Sequence, residues 1–82
     1  MTTANAMSIE LVKILEAAQA YFEKSMKYYA LMESAETEEM KNIYWARCNE
    51  YDGNCQGLIC AYGIITGKHI LRCEIKKELT LA

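Results

Sequence analysis

The sequence contains no proline. Proline is the commonest interior helix breaker, so its absence from an 82-residue chain favours long, uninterrupted helices. No apolar run approaches the roughly 20 residues needed to span a bilayer, and no membrane segment is expected. The N-terminus lacks a basic region followed by an apolar block, so it does not read as a signal peptide. A cytoplasmic protein with reduced thiols is the resulting expectation. Histidine occurs once, at His69, and none of the four cysteines forms a C-x-x-C pair. Both scarcities count against metal and nucleophile chemistry.

What is present describes a small globular domain. Hydrophobic residues make up 52% and charged residues 24%, a balance that separates the chain from disordered sequences. At this length a single core gives only marginal stability, and such chains usually add disulfides, a metal or a second copy of themselves. Net charge is −2, unevenly distributed. Residues 1–40 carry three Lys against seven Glu, whereas residues 41–82 carry six Lys or Arg against four acids. This asymmetry permits self-association but is too weak for the dense basic face of a nucleic-acid binder, so direct nucleic-acid binding is not expected. The opening "MTTANA" (1–6) is polar, small and unpatterned. It reads as a leader, either a native arm or a vector-derived segment before a start at Met7, with one domain over 7–82.

Two long helices are predicted, over about 8–33 and 37–66. Ser8 is a suitable N-cap with Glu10 in the first turn. Leu11, Leu15, Ala18, Phe22, Ser25, Tyr29 and Met32 then follow a 4-3-4-3 spacing that places them on one seam. "ESAET" (33–37) interrupts the pattern, and Thr37 can cap a second helix opened by Glu38 and Glu39. There Tyr44, Cys48, Tyr51, Cys55, Leu58, Tyr62 and Ile65 repeat the spacing. Joined by so short a link, the two helices should fold into an antiparallel hairpin. A second stripe on the first helix, Ile14, Ala17, Tyr21, Tyr28 and Leu31, exceeds what one neighbour covers and is expected to meet another chain, the alternative being exposed tyrosines whose rings tolerate water. A hairpin alone lacks a third wall, so homo-oligomerisation is expected to complete the fold.

Beyond Gly67 the period changes. Leu71, Cys73, Ile75, Leu79 and Leu81 alternate with polar residues, which predicts a half-buried β-strand over about 69–81. A helical reading through Leu71, Ile75 and Leu79 leaves Cys73 and Leu81 unexplained. A lone strand cannot satisfy its own backbone groups, so pairing with the same tail of another subunit, or with another protein's sheet edge, is expected.

The stretch "AYGIITGKH" (61–69) superficially suggests a phosphate-binding loop. Its two glycines are separated by three residues rather than four, and His69 stands where a metal-binding hydroxyl belongs. A helix precedes it, so a phosphate would meet the negative end of the helix dipole. Gly67 is better read as the glycine that ends the helix, with Lys68 near its last carbonyls.

The remaining candidates are each open to a structural and a functional reading. Cys48 and Cys55 lie seven apart on the core seam, where cysteine acts as a small buried hydrophobe. A zinc site from Cys60, His69 and Cys73 matches no usual ligand spacing. Gly53, Gly57 and Ala61 form a smooth strip, suited to close approach by a neighbouring helix or to a ligand. Candidate binding residues are Tyr44, Trp45, Arg47, Tyr51, Asn54, Lys68, His69 and Arg72. Arg47 either lies over aromatic rings or anchors a pocket between subunits, and tyrosine, tryptophan and arginine are the usual carriers of interface energy. No acid/base pair in a cleft can be named, so no enzyme activity and no cofactor is expected.

Residues 44–68, "YWARCNEYDGNCQGLICAYGIITGK", resemble short uncharacterised helical-hairpin proteins of phages and mobile elements from gut Clostridia-type bacteria. The likeness rests on the aromatic pair, a Y-x-G, a G-L-x-x-A-Y and the closing I-T-G-K. It implies a small accessory protein rather than a metabolic enzyme, with no functional residue to carry over. The function expected is a non-catalytic homo-oligomer that binds another macromolecule, such as a bacterial defence or regulatory protein, as an anti-defence or regulatory factor. Its contact surfaces would be the acidic face of the first helix and the tail. The alternative is an oligomer that sequesters a nucleotide-like small molecule between tyrosines, Arg47 and the Lys68–Arg72 segment.

Overall fold

The computed structural model describes residues 8–81, so the leader expected at 1–6 lies outside the described residues. Helix α1 runs Ile9–Glu33 and helix α2 runs Glu38–Thr66. Their ends are set by the residues expected from the sequence. The hydroxyl of Ser8 accepts a hydrogen bond from the Leu11 amide at 3.2 Å, and that of Thr37 accepts from the Met40 amide at 3.1 Å. Each satisfies one of the donors that a helix start leaves without an intrahelical partner. Gly67 ends α2 at φ 76°, donating its amide to the Gly63 carbonyl at 2.7 Å. A side chain there would meet the steric cost of the left-handed region, which glycine avoids. The two helices pack as an antiparallel hairpin.

The predicted strand is not formed. Residues 72–74 make a single 3₁₀ turn, Ile75–Thr80 form a short helix, α3, and no strand exists among the described residues. The reason is local satisfaction of the backbone. A strand would need a mate that the chain does not supply, whereas a helix closes its own hydrogen bonds. The Leu71 amide donates to the Glu74 carboxylate at 2.7 Å, which starts the turn. From there Ile75, Glu78 and Leu79 fall at helical spacing on the inward face. The alternation of Leu71, Cys73 and Leu81 carried no core signal: all three are exposed.

The core gathers where α1 begins and α2 ends. Leu15, Ala18, Cys55, Ile59, Tyr62, Ile70 and Ile75 form one buried cluster, flanked by Leu11, Ile14, Phe22, Leu58 and Leu79. Helix α3 packs on α1 and supplies the third wall there. This pulls the buried stripe of α2 toward Ile59 and Gly63, and Ile65, the last member of the predicted seam, is left exposed. At the loop end the helices are joined differently. Tyrosines from alternate helices stack in a ladder: Tyr21 on Tyr51 at 6.0 Å, Tyr51 on Tyr28 at 5.7 Å, and Tyr28 against Tyr44 at 6.2 Å. The second stripe of α1 thus meets α2 through Tyr21 and Tyr28, rather than requiring another chain. The ladder's offset geometry suits aromatic rings that keep one edge in water.

The described chain measures 58 × 20 × 17 Å with a radius of gyration of 15.3 Å. A compact domain of this length would have about 12 Å. The elongation arises because the third layer covers only one half of the hairpin. No helix of the described residues is long and apolar enough to cross a membrane.

Candidate functional site

On the loop side of residues 70–73 the face between the two long helices stays open. The result is a groove of about 550 Å³ between the two helices and the start of the tail. Helix α1 presents Phe22, Ser25, Met26 and Tyr29, residues three and four apart that share one face. Helix α2 presents Cys48, Asp52 and Gln56, each one turn further on. Ile70 to Cys73 close the end. Met26, Tyr29 and Leu71 are all large apolar residues left exposed around this opening. Trp45 extends the apolar edge, its ring 6.5 Å from that of Tyr29.

Three polar side chains of the groove, Ser25, Asp52 and Arg72, are already engaged. The buried hydroxyl of Ser25 donates to the Phe22 carbonyl at 2.8 Å within its own helix. The Arg72 guanidinium donates to the Asp52 carboxylate, tying the tail to α2 across twenty residues. The Cys48 thiol is pushed above its ordinary pKa by burial and, secondarily, by the Asp52 charge, against which Arg72 pulls. Cys55, in the core below, is raised for the same reasons. Both are therefore kept in the protonated thiol form at neutral pH.

A second polar centre lies where the end of α2 meets α3, at the base of the tail. The Tyr62 hydroxyl donates to Glu78 Oε2 at 2.8 Å, and Lys68 Nζ lies 2.9 Å from the same oxygen. The Glu78 carboxyl is held below its usual range, chiefly by the hydrogen bond from Lys68 and also by that from Tyr62, despite its burial. Burial, then the Glu78 carboxylate, pushes Tyr62 up to about 12. Lys68 thus serves this carboxylate and not the last carbonyls of α2. Beside it, His69 lies over Gly63, where an added Cβ would stand 2.7 Å from its Nδ1.

The eight residues singled out from the sequence fall in separate places. Arg72 lines the groove, with Trp45 on its apolar edge. Tyr44 and Tyr51 belong to the ladder, where Lys24 Nζ also lies 5.3 Å from the Tyr51 ring centre. Arg47 is exposed and pairs with Glu50 at 3.1 Å, one turn along the same helix. Asn54 borders a shallow depression with Tyr21, Gly53 and Gly57 on the far side of α2. Lys68 and His69 sit at the base of the tail. They do not form one pocket. Within one chain Arg47, Lys68 and Arg72 lie apart, and each pairs with a carboxylate. The zinc set considered from Cys60, His69 and Cys73 does not assemble either: among the described residues no three His, Cys, Asp or Glu side chains come together as a ligand group.

Sequence reasoning missed Met26, Asp52, Ile70 and Glu78. Asp52 had a visible signal, since Cys48, Asp52 and Gln56 form a stripe beside the seam at four-residue spacing. Glu78 had one only if the tail was taken as a helix, where it follows Ile75 by one turn.

No family model matches the chain, and no match was found among curated proteins or solved structures.

Proposed function

We propose that the protein is a non-catalytic homo-oligomer that acts by contact with another macromolecule. The observation that carries this reading is the open apolar groove along the loop-end half of the hairpin. Met26, Tyr29, Trp45 and Leu71 stand exposed around it, where the core end of the same face is roofed by α3. Exposed apolar surface of this kind, rimmed by charge, characterises association sites. The elongated hairpin supports the same reading, because so thin a body has little core of its own. The role as a phage or mobile-element accessory, directed at a bacterial defence or regulatory protein in the cytoplasm, rests on the likeness of residues 44–68. The acidic hairpin tip, with Glu33, Glu36, Glu38 and Glu39 exposed, is the second contact surface in this proposal.

The small-molecule reading has less support, because the three cations it needs are apart and paired within the chain. Light scattering across a concentration series tests the oligomer: association is expected, and a monomer throughout would sink the proposal. A thermal-shift screen with nucleotides tests the other reading. A ligand at 100 times its dissociation constant would add about 2.7 kcal/mol, and no shift is expected.

A further inference from the structure

We infer that the groove is covered by a second copy of this chain, its α1 laid antiparallel on the first with Met26 beside the two-fold axis. This rests on the homo-oligomer reading and specifies its geometry. Three observations favour that occupant over an unrelated partner.

The first is the apolar stripe. Phe22, Met26 and Tyr29 lie on one face of α1, and Met26 and Tyr29 are exposed. Two copies related by a two-fold axis near residues 25 and 26 bring each Tyr29 to the level of the other copy's Phe22. Each Met26 then lies against its counterpart. An interface made of the same patch on both subunits is the usual form of a two-fold dimer.

The second is charge. Glu23 and Lys27 flank this stripe on one side, four residues apart, both exposed. Neither takes part in an ion pair among the described residues; Glu23 only accepts a hydrogen bond from Gln19 at 2.9 Å. A two-fold axis perpendicular to antiparallel helices places the same flank of each helix side by side. Glu23 of each copy then meets Lys27 of the other, at both ends of the contact. A uniformly acidic or basic partner would gain from one of these charges and lose from the other. The chain's own sequence, read in reverse, matches both.

The third is length. Helix α1 from Phe22 to Tyr29, the stretch that lines the groove, spans about 12 Å at 1.5 Å per residue. In the antiparallel pair that same segment of the second copy is what covers it. The stretch of α1 that lines the groove is thus its own complement, and the pair becomes a four-helix bundle at the loop ends.

The test uses the full chain with Cys60→Ser and Cys73→Ser, which removes the two exposed thiols. In that background Met26→Cys is expected to oxidise to a disulfide-linked dimer on a non-reducing gel. Ala20→Cys, exposed on another face of α1, is expected to stay monomeric under the same conditions. Independently, Lys27→Glu sets like charges against each other at both ends and should weaken dimerisation roughly tenfold. Adding Glu23→Lys should restore it. Circular dichroism of these surface variants checks that the fold is intact. If the protein is a dimer but Met26→Cys does not cross-link, or the double charge reversal fails to rescue, this pairing is overturned while the homo-oligomer reading stands. A monomer at every concentration would overturn both.

Discussion

The phenol of Tyr62 and the carboxylate of Glu78 are joined by a 2.8 Å hydrogen bond inside the protein, sixteen residues apart in the chain. The contact fixes α3 to α2, since each residue lies on its helix's buried face. Removing either partner has a different cost. Tyr62→Phe leaves Glu78 with Lys68 and should lower unfolding stability by about 1.5–2 kcal/mol, the lower part of the range for a hydrogen bond to a charged group. Glu78→Ala leaves a buried phenol without a partner and also empties space in the core. It should cost more, about 2–3 kcal/mol. Urea denaturation of both variants checks the order, and equal or reversed losses would contradict the role given to Glu78.

The same pair sets the pH limits of the fold. Glu78 is held below its ordinary carboxyl range, so its contribution is fully present above the unfolded value. It is lost as pH falls through the folded one. Tyr62, raised from 10 to about 12, contributes below pH 10 and ceases to do so as pH climbs between those values. Wild-type stability should therefore fall on both sides, below the carboxylate range and above pH 10. In Tyr62→Phe the alkaline limb between 10 and 12 should flatten while the acid limb persists. Stability measured against pH for both proteins reads this directly.

The hairpin was legible in the sequence because helix signals are local. Ser8, Thr37 and Gly67 mark its ends by their own chemistry, and the 4-3-4-3 spacing marks its faces. The tail was not legible, because the alternating stretch from Leu71 to Leu81 can be written as strand or as helix. What decides is whether a partner strand exists, and that is a property of the whole molecule. Tyr21 and Tyr28 show the complementary failure. Their stripe looked surplus only because an apolar count does not reveal that tyrosines on two helices can interleave. The groove followed from the tail: once Ile75 and Leu79 join the cluster of Leu11 and Leu15, the exposure of Met26 and Tyr29 is a matter of where the roof ends.

Gly53 and Gly57 face outward, and an added Cβ at either would meet nothing within 4 Å. The close approach expected of this strip is absent within the chain, so here glycine only weakens the helix. Gly53→Ala and Gly57→Ala should each stabilise the protein by about 0.5–1 kcal/mol, through helix propensity and a less free unfolded chain. Thermal melts check this. A loss of stability or of self-association in either variant would instead place a second chain's helix on this strip, and not on the Met26 face.

Ile75 carries the attachment of the tail. It is fully buried in the cluster with Leu15, Ile59 and Tyr62, and it is the first residue of a helix too short to persist alone. Ile75→Ala should cost about 2–5 kcal/mol, the range for removing a large core side chain. Leu81→Ala, at an exposed position of the same segment, should be nearly neutral. The contrast separates helix from strand, because an alternating strand would bury Ile75 and Leu81 on one face and make both substitutions costly. Denaturation of the two variants, with far-ultraviolet circular dichroism to follow helix content, decides between them. Equal losses would return the tail to a paired strand and remove the roof from which the groove is defined.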